Sequence, residues 1–282
     1  MHYRIAFLAA VWLSLVCAAE NVPVFPPLVS WKDAITQQNP SALKTLYSSS
    51  PPAQVTTSKE TLDADSEVAF WMSLKPKGMQ LKVIQSDANQ PGIYQVLFQG
   101  SLETAARTMY VTAVQVWQQQ AGGWRIVATK REVTKLEQPL TVDDKIYPAG
   151  DAHAEIREAL GRARRSGRRV LLVFGADWCY DCHVLDKAFR RHDIAAILNA
   201  NYEVVHIDVG QGDKNQDLMS QYQVPMKRGI PAIAILESDG KLLYSQKNGE
   251  WERTRALGPE DLLELLGKWK PHRQTHRAGL IE

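Results

Sequence analysis

The chain has 282 residues, which is enough for two domains that each have their own core. Its 33 lysine and arginine residues nearly balance its 31 aspartate and glutamate residues, and the formal net charge is +2. This balance gives no indication of a nucleic acid or of an anionic membrane surface as a partner.

A short apolar segment, Ile5–Ala19, stands near the N-terminus. It is too short to cross a bilayer comfortably, and it ends in the small residues at which signal peptidases cut. We therefore predict a cleaved signal peptide over residues 1–19 and a periplasmic or secreted protein. Lipid attachment at Cys17 and an uncleaved membrane anchor are the alternatives. Cleavage would remove Cys17 and leave Cys179 and Cys182 as the only cysteines.

Residues 20–136 are predicted to form an α+β domain, because short helices come first and strands follow. The predicted helices are Trp31–Ile35, Ala42–Tyr47 and Glu67–Leu74, and the predicted strands are Gln80–Gln85, Ile93–Gly100, Thr108–Trp117 and Trp124–Thr129. The order of elements, with a Gly122-Gly123 turn before the last strand, resembles the nuclear transport factor 2-like cone over residues 29–134.

That resemblance implies a fold that can hold a pocket, and some relatives are enzymes. Residues 22–150 contain no histidine and no cysteine, however. Tyrosines in strands, such as Tyr94 and Tyr110, are more often part of a core than of a site. We expect a binding or dimerisation module, with a homodimer formed through this domain as one possibility.

A linker is predicted over residues 137–150, where Pro139, Pro148 and Gly150 interrupt any periodicity. A second domain is predicted over residues 151–271. Residues 272–282 are predicted to form a flexible tail.

The second domain shows alternating helices and strands, which predicts an open α/β fold whose first two strands form a βαβ unit with a parallel sheet. The predicted elements are the helix Ala154–Arg165, the strand Val170–Phe174, the helix Leu185–Leu198, the strand Glu203–Val209, the helix Leu218–Tyr222, a hairpin of Ala232–Leu236 and Leu242–Ser245, and the helix Pro259–Trp269.

Cys179 and Cys182 lie between the apolar strand Val170–Phe174 and a helix-compatible stretch. Free backbone N–H groups and the helix dipole at such a junction lower a cysteine pKa from ~8.5 to roughly 3.5–7.5. Cys179 is therefore the candidate nucleophile. Cys182 is one helical turn further on, where it can attack a mixed disulfide on Cys179 as the resolving cysteine. The pattern predicts a dithiol redox site.

Three motifs together resemble the thioredoxin fold over residues 151–271. They are Trp178-Cys179-Tyr180-Asp181-Cys182 after a strand, Gly229-Ile230-Pro231-Ala232 at the start of another strand, and the turn Asp239-Gly240-Lys241. The run Ala176-Asp177-Trp178-Cys179 is similar to the C-terminal periplasmic domains of thiol:disulfide interchange proteins.

The resemblance implies a thiol:disulfide oxidoreductase in which Cys179 and Cys182 alternate between a dithiol and a disulfide. It implies that Pro231 is a cis-proline facing this pair, that Ile230 pairs with an extended substrate, and that Trp178 packs beside the cysteines. The implied partners are disulfide-containing exported proteins and an upstream electron donor. No cofactor beyond the cysteines is expected.

The sequence departs from the thioredoxin pattern at Val173, where thioredoxins commonly carry a buried aspartate that assists proton transfer. In addition, Asp177 and Asp181 flank Cys179, and a nearby carboxylate disfavours a thiolate. Related dithiol proteins span about −270 to −120 mV, so the sequence leaves open whether the site reduces, oxidises or isomerises disulfides.

Three other interpretations use the same residues. Cys179, Cys182 and His183 also fit the attachment signature of c-type haem. A closed zinc site is less favoured, because it needs four ligands and no second Cys-x-x-Cys exists. A non-catalytic binding domain with a structural disulfide is the third. We expect His183 to be a solvent-facing helix residue.

Overall fold

The computed structural model describes residues 25–272. The predicted signal peptide and tail residues 273–282 lie outside this range. Two separate sheets are present, one of six strands and one of four. Across residues 25–272, no helix has both the length and the apolar character that crossing a bilayer requires.

The N-terminal domain contains three helices and a six-stranded sheet in the order β2-β1-β6-β5-β4-β3. The helices are α1 (Pro26–Thr36), α2 (Pro40–Thr45) and α3 (Ala64–Leu74), and the strands are β1 (Gln54–Thr56), β2 (Thr61–Leu62), β3 (Gly78–Asp87), β4 (Ile93–Glu103), β5 (Thr108–Gln120) and β6 (Gly123–Thr134). Side chains of Asn39 and Asp63 cap α2 and α3. The predicted α+β class is confirmed for this domain, although the two short strands were not predicted.

Large aromatic side chains fill the interior of the N-terminal domain. Trp31, Trp71 and Trp117 are fully buried there. Glu67 is also buried, and it accepts hydrogen bonds from both Arg131 (2.6–3.0 Å) and the indole of Trp71 (2.6 Å). A buried carboxylate needs such partners, because an unpaired one would cost several kcal/mol.

The C-terminal domain contains a four-stranded sheet in the order β10-β9-β7-β8, with helices on both faces. Its helices are α4 (Ala152–Ser166), α5 (Tyr180–Phe189), α6 (His192–Asn201), α7 (Gln216–Gln221) and α8 (Pro259–Lys268), and its strands are β7 (Arg169–Gly175), β8 (Tyr202–Asp208), β9 (Ala232–Leu236) and β10 (Leu242–Ser245). Every residue of the two central strands is buried, which explains their continuous apolar sequences.

The C-terminal sheet is mixed rather than parallel. Only β7 and β8 are parallel, whereas β9 is antiparallel to both β7 and β10. The parallel pairing predicted for the first βαβ unit is confirmed, and so is the predicted hairpin of β9 and β10. A buried apolar strand has the same sequence pattern in either direction, so periodicity did not reveal the orientation of β9.

The predicted helix Leu185–Leu198 is in fact parts of two helices, α5 and α6. Arg191 has an extended backbone between them (φ −61°, ψ 140°). The carboxylate of Asp193 accepts hydrogen bonds from the Arg191 side chain and from the backbone N–H of Ile194, which stabilises the new helix start.

The segment over residues 137–150 contains no helix or strand, but it contacts both domains. On the N-terminal side, the side chain of Gln99 donates to the carbonyl of Gln138 (3.0 Å). The hydroxyl of Tyr180 in α5 donates to the carbonyl of Pro139 (3.2 Å), and Lys187 pairs with Glu137 (2.8 Å). Tyr147 is buried in the C-terminal domain. This segment therefore follows the surface of the C-terminal domain closely.

Candidate redox site

Cys179 and Cys182 are joined by a disulfide bond where β7 leads into α5. Cys179 is the N-cap residue of α5, and its sulfur accepts a hydrogen bond from the backbone N–H of Cys182 (3.2 Å). Cys179 is 4% exposed and Cys182 is 1% exposed. Both residues are buried, and the Cys179 sulfur lies where the free N–H groups of a helix stabilise negative charge.

The carboxylate of Asp181 is buried and paired. It accepts hydrogen bonds from the side chain of Arg255 (Nε 3.0–3.1 Å, and a second guanidinium nitrogen) and from the Arg255 backbone N–H (2.8 Å). The guanidinium also lies over the ring of Tyr180. Sequence reasoning treated Asp181 as an isolated charge beside Cys179, whereas Arg255 compensates this charge directly.

The second flanking carboxylate, Asp177, is also held in place. One of its oxygens accepts the backbone N–H groups of Ile146 and Tyr147, each at 3.0 Å, and Lys145 lies 3.4 Å from the other. Burial opposes ionisation, but these hydrogen bonds and the nearby lysine hold the pKa of Asp177 below its usual value. The Asp177 side chain thereby fastens the connecting segment (residues 137–150) to the redox loop (residues 176–182).

Tyr147 lies against the disulfide, and sequence reasoning did not identify it. It forms a buried cluster with Cys179 and Cys182, flanked by Ile146 and Ile230. The rings of Tyr147 and His206 form a T-shaped pair with a centroid distance of 5.5 Å. Burial, and then the charges of nearby aspartates, raise the pKa of the Tyr147 hydroxyl, so the group stays protonated.

His183 is 3% exposed, and its Nε2 lies 2.7 Å from the backbone oxygen of Asp177. The prediction of a solvent-facing histidine was therefore wrong. The start of α5 is buried on the side that carries His183, and the imidazole donates a hydrogen bond to a carbonyl that precedes the helix. Among residues 25–272, no group of three or more histidine, cysteine, aspartate or glutamate side chains could hold a metal ion.

The loop that contains Ile230 and Pro231 faces Cys179. The Ile230–Pro231 peptide bond is cis, and the carbonyl oxygen of Ile230 lies 3.6 Å from the Cys179 sulfur. The buried side chain of Gln246 holds this loop by accepting the N–H of Ile233 (3.3 Å) and donating to the carbonyl of Pro231 (3.5 Å). Gln246 is a second residue that sequence reasoning missed.

Trp178 is 52% exposed, and its indole N–H donates to the carbonyl of Gly210 (2.9 Å). It therefore presents an apolar surface next to the cysteines. Val173 is buried in the hydrophobic core, so no carboxylate occupies that position of β7.

Comparison with known proteins matches residues 151–238 to the family model described as thioredoxin-like. The C-terminal domain belongs to the thioredoxin-like family. Over 154 residues, the chain is 31% identical to the thiol:disulfide interchange protein DsbD 2 of Pseudomonas aeruginosa, a match that covers 54% of this chain and 24% of that protein. The chain therefore spans about a quarter of the length of this curated relative.

Two solved structures are similar to separate parts of the chain. A disulphide isomerase from Xylella fastidiosa is 36% identical, and the match covers 46% of this chain and 98% of that one, with a TM-score of 0.42. An NTF-2 like protein from Shewanella oneidensis is 10% identical, with coverages of 38% and 93% and a TM-score of 0.34. The C-terminal domain is thioredoxin-like, as the sequence predicted.

Proposed function

We propose that the protein is an exported thiol:disulfide oxidoreductase that acts through Cys179 and Cys182. One observation carries this proposal: a disulfide joins two cysteines at the N-terminus of α5, with Cys179 at the N-cap position. A helix N-terminus stabilises the thiolate that attacks a disulfide and also makes that sulfur a good leaving group. The relative from P. aeruginosa is named a thiol:disulfide interchange protein, which agrees with this chemistry.

The proposed reaction begins with the reduced pair. The Cys179 thiolate attacks one sulfur of a substrate disulfide, and the other substrate sulfur leaves as a thiolate that takes a proton from water. Cys182 releases its proton to water and attacks the Cys179 sulfur, which breaks the mixed disulfide and forms the Cys179–Cys182 bond. Two electrons have then passed to the substrate. An upstream dithiol donor of the same chemical class would reduce the pair again.

The substrate would lie across Trp178, Ile230 and Pro231. The exposed indole offers apolar contact, and the Ile230 carbonyl faces the Cys179 sulfur. The backbone of Ile230 can pair with an extended peptide there, as in other strand-addition complexes. We infer that the substrates are disulfide-containing exported proteins and that reduction is the favoured direction.

Export would follow from the apolar segment near the N-terminus, whose removal would leave an even number of cysteines. The N-terminal domain would bind partner proteins or a second copy of the chain. The mass of the protein recovered from an exporting host tests the first point, because cleavage after Ala19 removes a defined mass. Sedimentation of the full chain tests for a dimer.

Trapping of a mixed disulfide tests the reaction. The Cys182→Ser variant is reduced and mixed with a peptide that carries an internal disulfide, and covalent adducts are measured by intact mass. We expect an adduct through Cys179. The Cys179→Ser variant is the matched control, and it should form at least tenfold less adduct at neutral pH. Equal trapping by both variants, or by neither, would refute the proposed roles.

A structural disulfide in a binding domain is the second candidate, and the burial of both cysteines favours it. A buried structural bridge resists mild reductants, whereas an exchange site is reduced in the native protein. Alkylation after treatment with dithiothreitol, with and without denaturant, separates the two candidates.

A further inference from the structure

The connecting segment places Tyr147 behind the disulfide. Its backbone is fixed there, because the N–H groups of Ile146 and Tyr147 both bind the same oxygen of Asp177. Asp177 is two residues before Cys179, so this anchor connects residues 146–147 directly to the redox loop. The tyrosine belongs to the segment before the thioredoxin-like match, which begins at residue 151.

The Tyr147 hydroxyl and the Cys182 sulfur share one small space above Gly175. A Cβ atom added to Gly175 would lie 2.8 Å from the Cys182 sulfur and still closer to the Tyr147 hydroxyl oxygen. Both are closer than real Cβ contacts, so the absence of a side chain at position 175 lets the phenol reach this place. Gly175 is the last residue of β7.

The groups around the Tyr147 hydroxyl determine its protonation state. Asp177, Asp186 and Asp208 are near it and His206 contacts its ring, while burial and these negative charges raise its pKa. Burial lowers the pKa of His206, with Asp186 and Arg190 as the neighbouring charges, so the imidazole is neutral at neutral pH. A protonated phenol beside a sulfur can donate a hydrogen bond but does not act as a base.

We propose that the Tyr147 hydroxyl donates a hydrogen bond to the sulfur of Cys182 after the disulfide is reduced, and thereby stabilises the thiolate of the resolving cysteine. The Cys182 proton leaves to water, and the hydroxyl keeps its own proton. The thiolate then forms the bond to Cys179 as the mixed disulfide breaks. The consequence for catalysis rests on the proposed function, whereas the hydrogen bond can be measured separately.

The pKa of Cys182 tests this contact. In the full chain with Cys179→Ala, Cys182 is the only thiol within residues 25–272. Its thiolate is followed by absorbance at 240 nm during a pH titration. Adding Tyr147→Phe removes only the hydroxyl. A hydrogen bond to a charged group is stronger than one to a neutral group. We therefore expect the variant with Tyr147→Phe to have about tenfold less Cys182 thiolate than the variant with Tyr147, at a pH below the Cys182 pKa of both.

Tyr202→Phe is the matched control. It removes the buried hydroxyl that donates to the carbonyl of Leu266, and Tyr202 pairs with Arg169 at the opposite end of β7 from Gly175. This control should leave the Cys182 titration unchanged. Gly175→Ala is a second test. The tyrosine remains, but the added methyl group occupies the space of its hydroxyl, so the Cys182 titration should shift in the same direction as in Tyr147→Phe.

A Cys182 titration that neither Tyr147→Phe nor Gly175→Ala changes would overturn the proposal. A shift produced equally by Tyr202→Phe would also overturn it, since the effect would then be a general loss of packing. If the expected shift is found but Cys182→Ser traps no substrate, the hydrogen bond stands and the proposed function fails. The two claims are therefore distinguished by separate measurements.

Discussion

At the scale of single residues, the effect of a carboxylate on the neighbouring Cys179 thiolate depends on the partner that the carboxylate binds. Asp181 follows Cys179 by two positions, and its carboxylate is buried, yet Arg255 binds it through side chain and backbone. The guanidinium holds the carboxylate charge close to a positive charge, which limits its effect on the Cys179 thiolate. Arg255 is therefore predicted to tune the nucleophile without contacting it.

We predict that Arg255→Gln raises the pKa of Cys179 and lowers stability. The Asp181 charge would lose its partner. The thiolate fraction of Cys179 would therefore fall by up to about tenfold at a pH below the Cys179 pKa of both the parent and the variant. The loss of stability should be about 1–2 kcal/mol, less than for a fully buried pair, because the Arg255 side chain is 49% exposed. Iodoacetamide labelling against pH and urea unfolding measure the two effects.

Arg253→Gln is the control for that substitution, because Arg253 is exposed just before the same 3-10 turn and forms no ion pair within residues 25–272. If both variants label Cys179 with the same pH profile as the parent, Arg255 has no role in tuning the cysteine.

Gly175→Ala is predicted to destabilise the protein by about 1–3 kcal/mol, since its Cβ would overlap Tyr147 and the Cys182 sulfur. Gly267→Ala in α8 is the control. A Cβ there meets no atom within 4 Å, and alanine is the better helix former, so this variant should be neutral or more stable. Urea unfolding of both variants measures the difference, and equal midpoints would show that the space above Gly175 can expand.

At the scale of elements, the connecting segment and the redox loop form one unit through Asp177. The depressed pKa of Asp177 means that its ionised form is favoured in the folded state. Its contribution to stability is therefore complete above the unfolded value of about 3.8 and is lost as the pH falls through the lower folded value.

We predict that Asp177→Asn lowers stability at neutral pH by about 1 kcal/mol and weakens the acid dependence of unfolding below about pH 4. Thermal unfolding from pH 7 to pH 2 checks this. Asp143→Asn, in the same segment but exposed, is the control and should keep the parent profile. A parent-like profile for Asp177→Asn would contradict the anchoring role.

Most elements could be predicted because their apolar residues repeat with a helix or strand period. The strands β9 and β10 begin and end as predicted, and the cysteine pair lies at the strand-to-helix junction that the motif indicated. Tyr147, Gln246 and Arg255 could not be found in this way. Tyr147 and Arg255 reach the redox loop, and Gln246 reaches the loop of Ile230 and Pro231, from other parts of the chain. No local pattern encodes such contacts.

At the scale of the whole molecule, the two domains meet through polar contacts as well as through the connecting segment. Glu260 at the start of α8 pairs with Arg107 (3.2 Å) and Lys135 (2.5 Å) of the N-terminal side. The hydrogen bond from Lys135, a hydrogen bond from the backbone N–H of Glu260 itself and the charges of the two cations lower the pKa of Glu260. All three side chains are substantially exposed, so these pairs orient the domains more than they stabilise them.

We predict that Glu260→Gln changes the free energy of unfolding by less than about 1 kcal/mol at low salt, and that the difference disappears at 0.5 M salt. Glu264→Gln, one turn further along α8 and exposed, should have no effect at either salt concentration. Urea unfolding at the two salt concentrations is the measurement. A large, salt-independent loss would mean that the interface depends on Glu260 through packing.

The redox equilibrium of the Cys179–Cys182 pair tests the central claim most directly. The native protein is equilibrated in dithiothreitol or glutathione buffers of known potential, its thiols are alkylated, and the intact mass is recorded. We predict that both thiols appear together in one two-electron transition between about −270 and −120 mV. A bond that stays intact below about −300 mV, or that yields thiols only after denaturation, would contradict the account and identify a structural bridge.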